Sequence, residues 1–271
     1  MDTVLAHAQA CIETAMQMRP LFDSKPQTTE KLAAHALFLR CIDHFRAAVT
    51  LGQQGLDVEA LSLTRGISEA LFVIGALLKG FLTTEQLEGF DLAQKAKNAR
   101  EMSDFLKREA TPELQQKMSD YGIRHKGETD MRLQQLAQKI GESELYDGYY
   151  RMFSHVATHP SLSAVQKYLD YGERGTAVHY PGKGHSAKDV ILISATALMH
   201  VCAGVEKWLG TSPSVNRAIH ARLTEHEAFG PRSECAGQVL SDTVIGCLIA
   251  DCCSKALGGK LPSLECSRTL L

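Results

Sequence analysis

The sequence contains two histidines four positions apart, His155 and His159. Of the candidate site residues, these two can take part in the most kinds of chemistry. Pro160 disfavours helical geometry at the residue before it, so we expect His159 at the end of a helix, one turn beyond His155. Such a pair can bind a metal ion, transfer protons or donate to buried carbonyl groups. We take both histidines as candidates for acid–base catalysis, with a purely structural role as the alternative.

Polar residues just before the histidines extend this candidate site. Arg151 lies one helical turn before His155, and Ser154 adjoins it on the same polar face. Tyr150 comes directly before the arginine. Because hydroxyl and guanidinium groups can donate to a polar ligand, we predict Tyr150, Arg151 and Ser154 as ligand-binding residues.

A charged pair, Arg65 and Glu69, interrupts an apolar stretch of the sequence. The helix predicted there has apolar residues on opposite sides, so we expect it to be central and the pair to be buried. Burying one charge alone would be costly, so the two should pair with each other or with a ligand. An exposed ion pair is the alternative, although arginine preceding glutamate by four is the weaker orientation. We predict Glu69 as catalytic and Arg65 as ligand-binding.

A metal ion at this place would need further ligands from another helix. Glu69, His44 and Asp43 are the available donors, and the sequence lacks the paired Glu-x-x-His motifs that mark di-iron bundles. A network of hydrogen bonds is the alternative. We therefore assign no metal, keep His44 as a ligand-binding candidate and leave any cofactor unassigned.

The elements that must position these residues are helices. Apolar residues recur at three- and four-residue spacing, and alternating β-branched stretches are missing. Thr83 and Gln86 form a capping-box pattern, and Pro112 and Pro213 stand at first helical positions. The fold class predicted is all-α, a multi-helix bundle. Its helices are predicted at 3–18, 28–51, 57–80, 84–110, 112–121, 129–140, 143–158, 161–170, 187–209, 213–228 and 233–257.

The predicted domain organisation is a single helical bundle over residues 1–230. An additional C-terminal helix is expected at 231–257, followed by a poorly ordered tail at 258–271. Residues 171–185 are rich in glycine and proline, which predicts an exposed connector or lid.

Composition limits the function classes. With 29 basic and 31 acidic residues the chain has a net charge of −2, so it lacks the basic field of a general nucleic-acid binder and any RNA contact would be local. The eight cysteines show no paired spacing, which favours reduced core thiols. Charges within residues 1–20 argue against a signal peptide, and the apolar run at 70–78 is too short to span a membrane. We expect a cytoplasmic protein without membrane association.

The same residues resemble the bacterial family catalogued as domain of unknown function 5677, over about residues 30–210. The resemblance implies an all-helical fold and a shared polar site. The residues that carry it are Arg65, Glu69, Tyr150, Arg151, Ser154, His159, Pro160 and Ser161.

That family is in turn distantly similar to the HEPN group of helical bundles. Many HEPN proteins are defence or toxin ribonucleases that use a nearby arginine and histidine and dimerise to complete the site. Here three residues separate Arg151 from His155 and seven separate it from His159, and both spacings depart from the HEPN pattern.

Three functions of different class follow. The first is an accessory protein of defence or drug-resistance type, whose polar pocket binds and acts on a small polar ligand. The second is a HEPN-like ribonuclease or its inactive relative, with RNA as partner and a homodimer as the working form. The third is a structural or interaction module. The cysteine-rich texture after Gly230 is typical of a coding region that ends within a mobile gene cassette, which favours the accessory role.

Overall fold

The computed structural model describes residues 1–23, 26–105, 111–124, 131–157, 165, 168–172, 175–178, 187–210 and 213–228. These residues form a bundle of α-helices, which confirms the predicted fold class. The helices are α1 (Asp2–Gln17), α2 (Arg19–Phe22), α3 (Thr29–Gln53), α4 (Asp57–Leu78), α5 (Thr84–Phe105), α6 (Pro112–Arg124), α7 (Leu133–Ile140), α8 (Ser143–Leu145), α9 (Arg151–Ala157), α10 (Ala187–Leu209) and α11 (Pro213–Ala228).

Local sequence signals explain where the helices begin and end. Thr83 and Gln86 exchange two hydrogen bonds of 3.0 and 3.2 Å at the start of α5, which confirms the predicted capping box. Thr28 caps α3 by accepting from the backbone N–H three residues later. Helix α7 ends at Gly141, whose φ of +87° is the left-handed geometry that favours glycine at this position.

A short antiparallel hairpin departs from the predicted helix 161–170 and connector 171–185. Its strands are β1 (Leu169–Gly172) and β2 (Gly175–Val178), and Gly172 pairs with Gly175. The rest of both segments, apart from residues 165 and 168, lies outside the described residues, as do the predicted C-terminal helix 231–257 and the tail 258–271.

Helix α4 lies at the centre of the bundle, between α3 and α10, and α7 and α9 also pack against it. It buries Ile67 and Ile74 on one side and Leu61 and Phe72 on the other, as its two apolar faces predict. The hydroxyls of Thr64 on α4 and Ser194 on α10 lie 2.6 Å apart in the core. The site residues on α4 are therefore held by a well-packed central helix.

Trp208 fills a narrow space between α4 and α10. A Cβ atom added at Gly75 would lie 2.6 Å from the Trp208 ring, and one added at Gly204 would lie 2.8 Å from it. Real Cβ atoms essentially never come so close. The two helix backbones therefore approach each other closely because each carries a glycine opposite this indole.

Two helices are long and apolar enough to cross a membrane by length and composition, Asp57–Leu78 and Ala187–Leu209. The bundle buries 67% and 89% of their most apolar windows, and buried core helices of soluble proteins have the same composition. This finding is weak evidence for a membrane span, and the cytoplasmic location stays a prediction.

The cysteines of the described residues are free and buried: Cys11, Cys41 and Cys202. Burial raises the pKa of the Cys11 and Cys41 thiols to about 12, which keeps them protonated and poorly nucleophilic. For these three positions the prediction of reduced core thiols is confirmed, and the other five lie outside the described residues.

Candidate functional site

Arg65 and Glu69 form an ion pair on adjacent turns of α4. Arg65 Nη2 lies 2.6 Å from Glu69 Oε1, so the predicted pairing is confirmed. The prediction of full burial is wrong, because 24% of the Arg65 side chain and 32% of the Glu69 side chain are exposed. The elements that cover this face of α4 are short, and they leave the edge of the ion pair open to solvent.

The hydroxyl of Tyr150 joins both members of this pair. It accepts from Arg65 Nη2 at 2.9 Å and donates to Glu69 Oε1 at 3.1 Å. The guanidinium carbon also lies 5.1 Å from the centre of the Tyr150 ring, within the range of a cation–π contact. We call these three residues the Arg65–Tyr150–Glu69 triad. The triad joins the helix that begins at Asp57 to the segment that begins at Ser143.

A π-helical turn, Tyr146–Tyr150, places this tyrosine. The Tyr146 and Tyr150 rings stack with centroids 4.9 Å apart, and Phe72 of α4 meets Tyr150 edge-on at 6.1 Å. Tyr149 points into a separate apolar cluster with Phe153. Single π-helical turns are rare and occur frequently at functional sites. The turn thus directs adjacent tyrosines into different surroundings and fixes the Tyr150 hydroxyl over α4.

The surroundings of Tyr150 determine its protonation. Burial raises the pKa of the phenol, and the negative charge of Glu69 acts in the same direction, while the hydrogen bond from Arg65 opposes both. Tyr150 therefore keeps its proton at neutral pH and serves as a hydrogen-bond donor rather than as a base.

Arg151 does not join the triad, and its ligand-binding role stays a prediction. Its guanidinium lies 3.5 Å from the Asp147 carboxylate, and 67% of its side chain is exposed. The π-helical turn changes the register between α8 and α9, and the residue after Tyr150 points to the surface. Ser154 is half-buried on α9.

His44 lies beside the triad, but its described hydrogen bond does not go to a residue of the triad. Its Nε2 accepts from Arg40 Nε at 3.3 Å, and its ring packs against the backbone of Gly66, the residue after Arg65. Burial lowers the pKa of His44, and the charge of Arg40 acts in the same direction. His44 is therefore a neutral neighbour of the site at physiological pH.

The candidate metal ligands are not brought together. Asp43 is exposed and pairs with Arg46 on its own helix at 3.8 Å. Within the part of the chain that the structure describes, no group of three or more His, Cys, Asp or Glu residues is arranged to hold a metal ion. The side chain of His155 and the whole of His159 lie outside the described residues, so their catalytic roles stay predictions.

Comparison with known proteins identifies one family. The model of a family of unknown function (DUF5677) matches residues 31–176, which include the whole triad. No curated protein and no solved structure matches the chain.

Proposed function

We propose, since the chain belongs to this family of unknown function (DUF5677), that it binds a small polar ligand at the Arg65–Tyr150–Glu69 triad. The observation that carries the proposal is the Tyr150 hydroxyl, which is hydrogen-bonded to both members of a partly exposed ion pair. A cation, an anion and a neutral hydroxyl are thereby held within about one hydrogen-bond length of each other at an open edge.

The unused hydrogen-bonding groups indicate the chemistry of the ligand. Arg65 Nη2 serves both Glu69 and Tyr150, whereas Arg65 Nε has no partner among the described residues. Both described bonds of Glu69 go to Oε1, so Oε2 remains as an acceptor. A complementary ligand presents an acceptor to the guanidinium and a donor to the carboxylate, as amides, amino acids and nucleobases do.

A purely structural role for the triad makes a different prediction. The triad ties the π-helical turn to α4, and that contact alone would stabilise the bundle without binding anything. A structural triad predicts that substitutions lower stability and leave ligand affinity unchanged. A binding triad predicts loss of affinity in variants that remain folded.

The test is a thermal-shift screen of the purified protein against nucleotides, amino acids and antibiotics, followed by calorimetric titration of each hit. A ligand at 100 times its Kd should add about 2.7 kcal/mol of stability. We expect Glu69→Gln and Arg65→Gln to weaken binding at least tenfold, a loss of about 1.4 kcal/mol. Arg46→Gln is the matched control, since this arginine of α3 is exposed and pairs with Asp43 rather than with the triad. Ligands that bind the wild type and all three variants with the same affinity would contradict the proposal.

A further inference from the structure

A cleft of about 380 Å³ adjoins residues 141–145, which precede the π-helical turn that carries Tyr150. Residues 141–145, the second half of α10 and the first half of α11 form its walls. Its volume falls in the range of small-molecule sites. It shares no residue with the triad.

The titratable residues that line the cleft are mostly acidic. They are Glu142, Glu144, His200, Glu206, Lys207 and His220. The one ammonium among them, that of Lys207, lies 3.9 Å from Glu142 Oε1, and 65% of its side chain is exposed. Three carboxylates therefore line the cleft together with one largely solvated ammonium group. The lining therefore favours a positively charged occupant.

Glu206 is the most deeply placed of these carboxylates. Only 7% of the residue is exposed, and its described partner is Asn216 Nδ2, which donates to Oε1 at 3.0 Å. No lysine, arginine or histidine of the described residues lies within ion-pair distance of it. A neutral amide donor does not compensate a carboxylate removed from water, and a cation entering the cleft would do so.

We propose that this cleft binds a compact organic cation, such as a diamine, whose ammonium group pairs with Glu206. The buried carboxylate of Glu206 supplies the charge, and Glu142, which also lines the cleft, supplies a second anion for a second amino group. The cleft is independent of the triad, so an experiment can contradict one of the two binding proposals without contradicting the other.

The experiment is a calorimetric titration of the full chain with 1,4-diaminobutane, compared with 1,4-butanediol, a neutral molecule of the same length. We expect the diamine to bind with one-to-one stoichiometry and the diol not to bind. Added salt should weaken diamine binding, because the interaction is between charges. Equal behaviour of diamine and diol would overturn the proposal.

Substitutions then show where on the protein the diamine binds. Glu206→Gln keeps the shape and an acceptor for Asn216 but removes the charge, and we expect at least a tenfold loss of diamine affinity. Asp43→Asn, which removes an exposed carboxylate from α3, is the matched control and should bind like the wild type. If circular dichroism shows that Glu206→Gln is unfolded, Glu142→Gln takes its place, with the same expected loss. Wild-type affinity in a folded Glu206→Gln variant would refute the assignment. Unchanged diamine binding in Arg65→Gln would show that the two sites are separate.

Discussion

Tyr150 donates its hydroxyl proton to Glu69 at 3.1 Å, across 81 positions of sequence, and it shares that carboxylate oxygen with Arg65. One aromatic residue thus connects the π-helical turn to the central helix through a charge-assisted hydrogen bond. Such bonds contribute more than bonds between neutral groups, because one partner is ionised. Removing the tyrosine hydroxyl is therefore the most specific test of the contacts within this site.

Tyr150→Phe should destabilise the protein by about 1–2 kcal/mol, because the ion pair loses a hydrogen-bonding partner at a partly buried position. The ring stays in place, so its stacking on Tyr146 is retained. Urea denaturation followed by circular dichroism measures the loss. Tyr146→Phe removes a hydroxyl from the other ring of the same stack, and it should change stability by less than about 0.5 kcal/mol. Equal losses in the two variants would show that the Tyr150 hydroxyl contributes no specific contact.

Arg65 and Glu69 should be energetically coupled, but weakly. A double-mutant cycle with Arg65→Met and Glu69→Leu should give a coupling free energy of about 1 kcal/mol, since water screens the open edge of the pair. A fully buried pair would lose about 3–5 kcal/mol when one partner is removed. Single-variant losses of that size would show that the site is closed in solution. Additive effects, with zero coupling, would show that the ion pair does not form.

Gly75→Ala should destabilise the bundle by about 1–2 kcal/mol. The added methyl group would press on Trp208. The stability lost by overpacking the core exceeds the stability gained from the higher helix propensity of alanine. Gly52→Ala on α3 is the control, because the added Cβ would lie 3.2 Å from its nearest neighbour, the Ile191 side chain, rather than 2.6 Å from the Trp208 ring. Thermal denaturation should show a lower Tm only for Gly75→Ala. A stabilising effect at both positions would mean that α4 and α10 are further apart than described.

Stability should fall when the pH is lowered from about 7.5 to 5.5. Burial lowers the pKa of His7, His35 and His44 in the folded protein, whereas the unfolded chain takes up protons near pH 6.5. The unfolded state then binds more protons than the folded state, so the free energy of unfolding decreases as pH falls below 6.5. Urea denaturation at both pH values measures this decrease.

A variant isolates one contribution to this pH dependence. Burial raises the pKa of Glu142, and the sign of its contribution is opposite to that of the histidines. His7→Gln removes one titrating imidazole and should make the fall in stability shallower. The same pH dependence in His7→Gln and in the wild type would show that this histidine contributes nothing to it.

Most of the fold could be predicted from the sequence because its signals are local. The helix predicted at 187–209 has the same bounds in the structure, and the capping box of Thr83 and Gln86 lies where its pattern indicates. The pairing of Arg65 with Glu69 could likewise be predicted from the sequence, because residues four apart meet on any α-helix.

The remainder of the site depends on non-local or irregular geometry. A π-helical turn breaks the regular helical register, so helical spacing alone did not predict that Tyr150, and not Arg151, contacts Arg65 and Glu69. The cleft around Glu206 is formed by residues 141–145 together with the consecutive helices α10 and α11, and no spacing rule brings residues 141–145 to these distant helices. An acidic residue within the apolar α10 was the one signal that pointed to it.

Trp208 is the single tryptophan of the chain, and it lies against Gly75 and Gly204. Gly204 and the residue before the indole, Lys207, both line the cleft. Intrinsic fluorescence of the native protein therefore originates from one defined position. Its emission wavelength reports on the separation of α4 and α10, and its intensity responds to an occupant of the cleft. Unlabelled protein thus contains its own optical probe of both events.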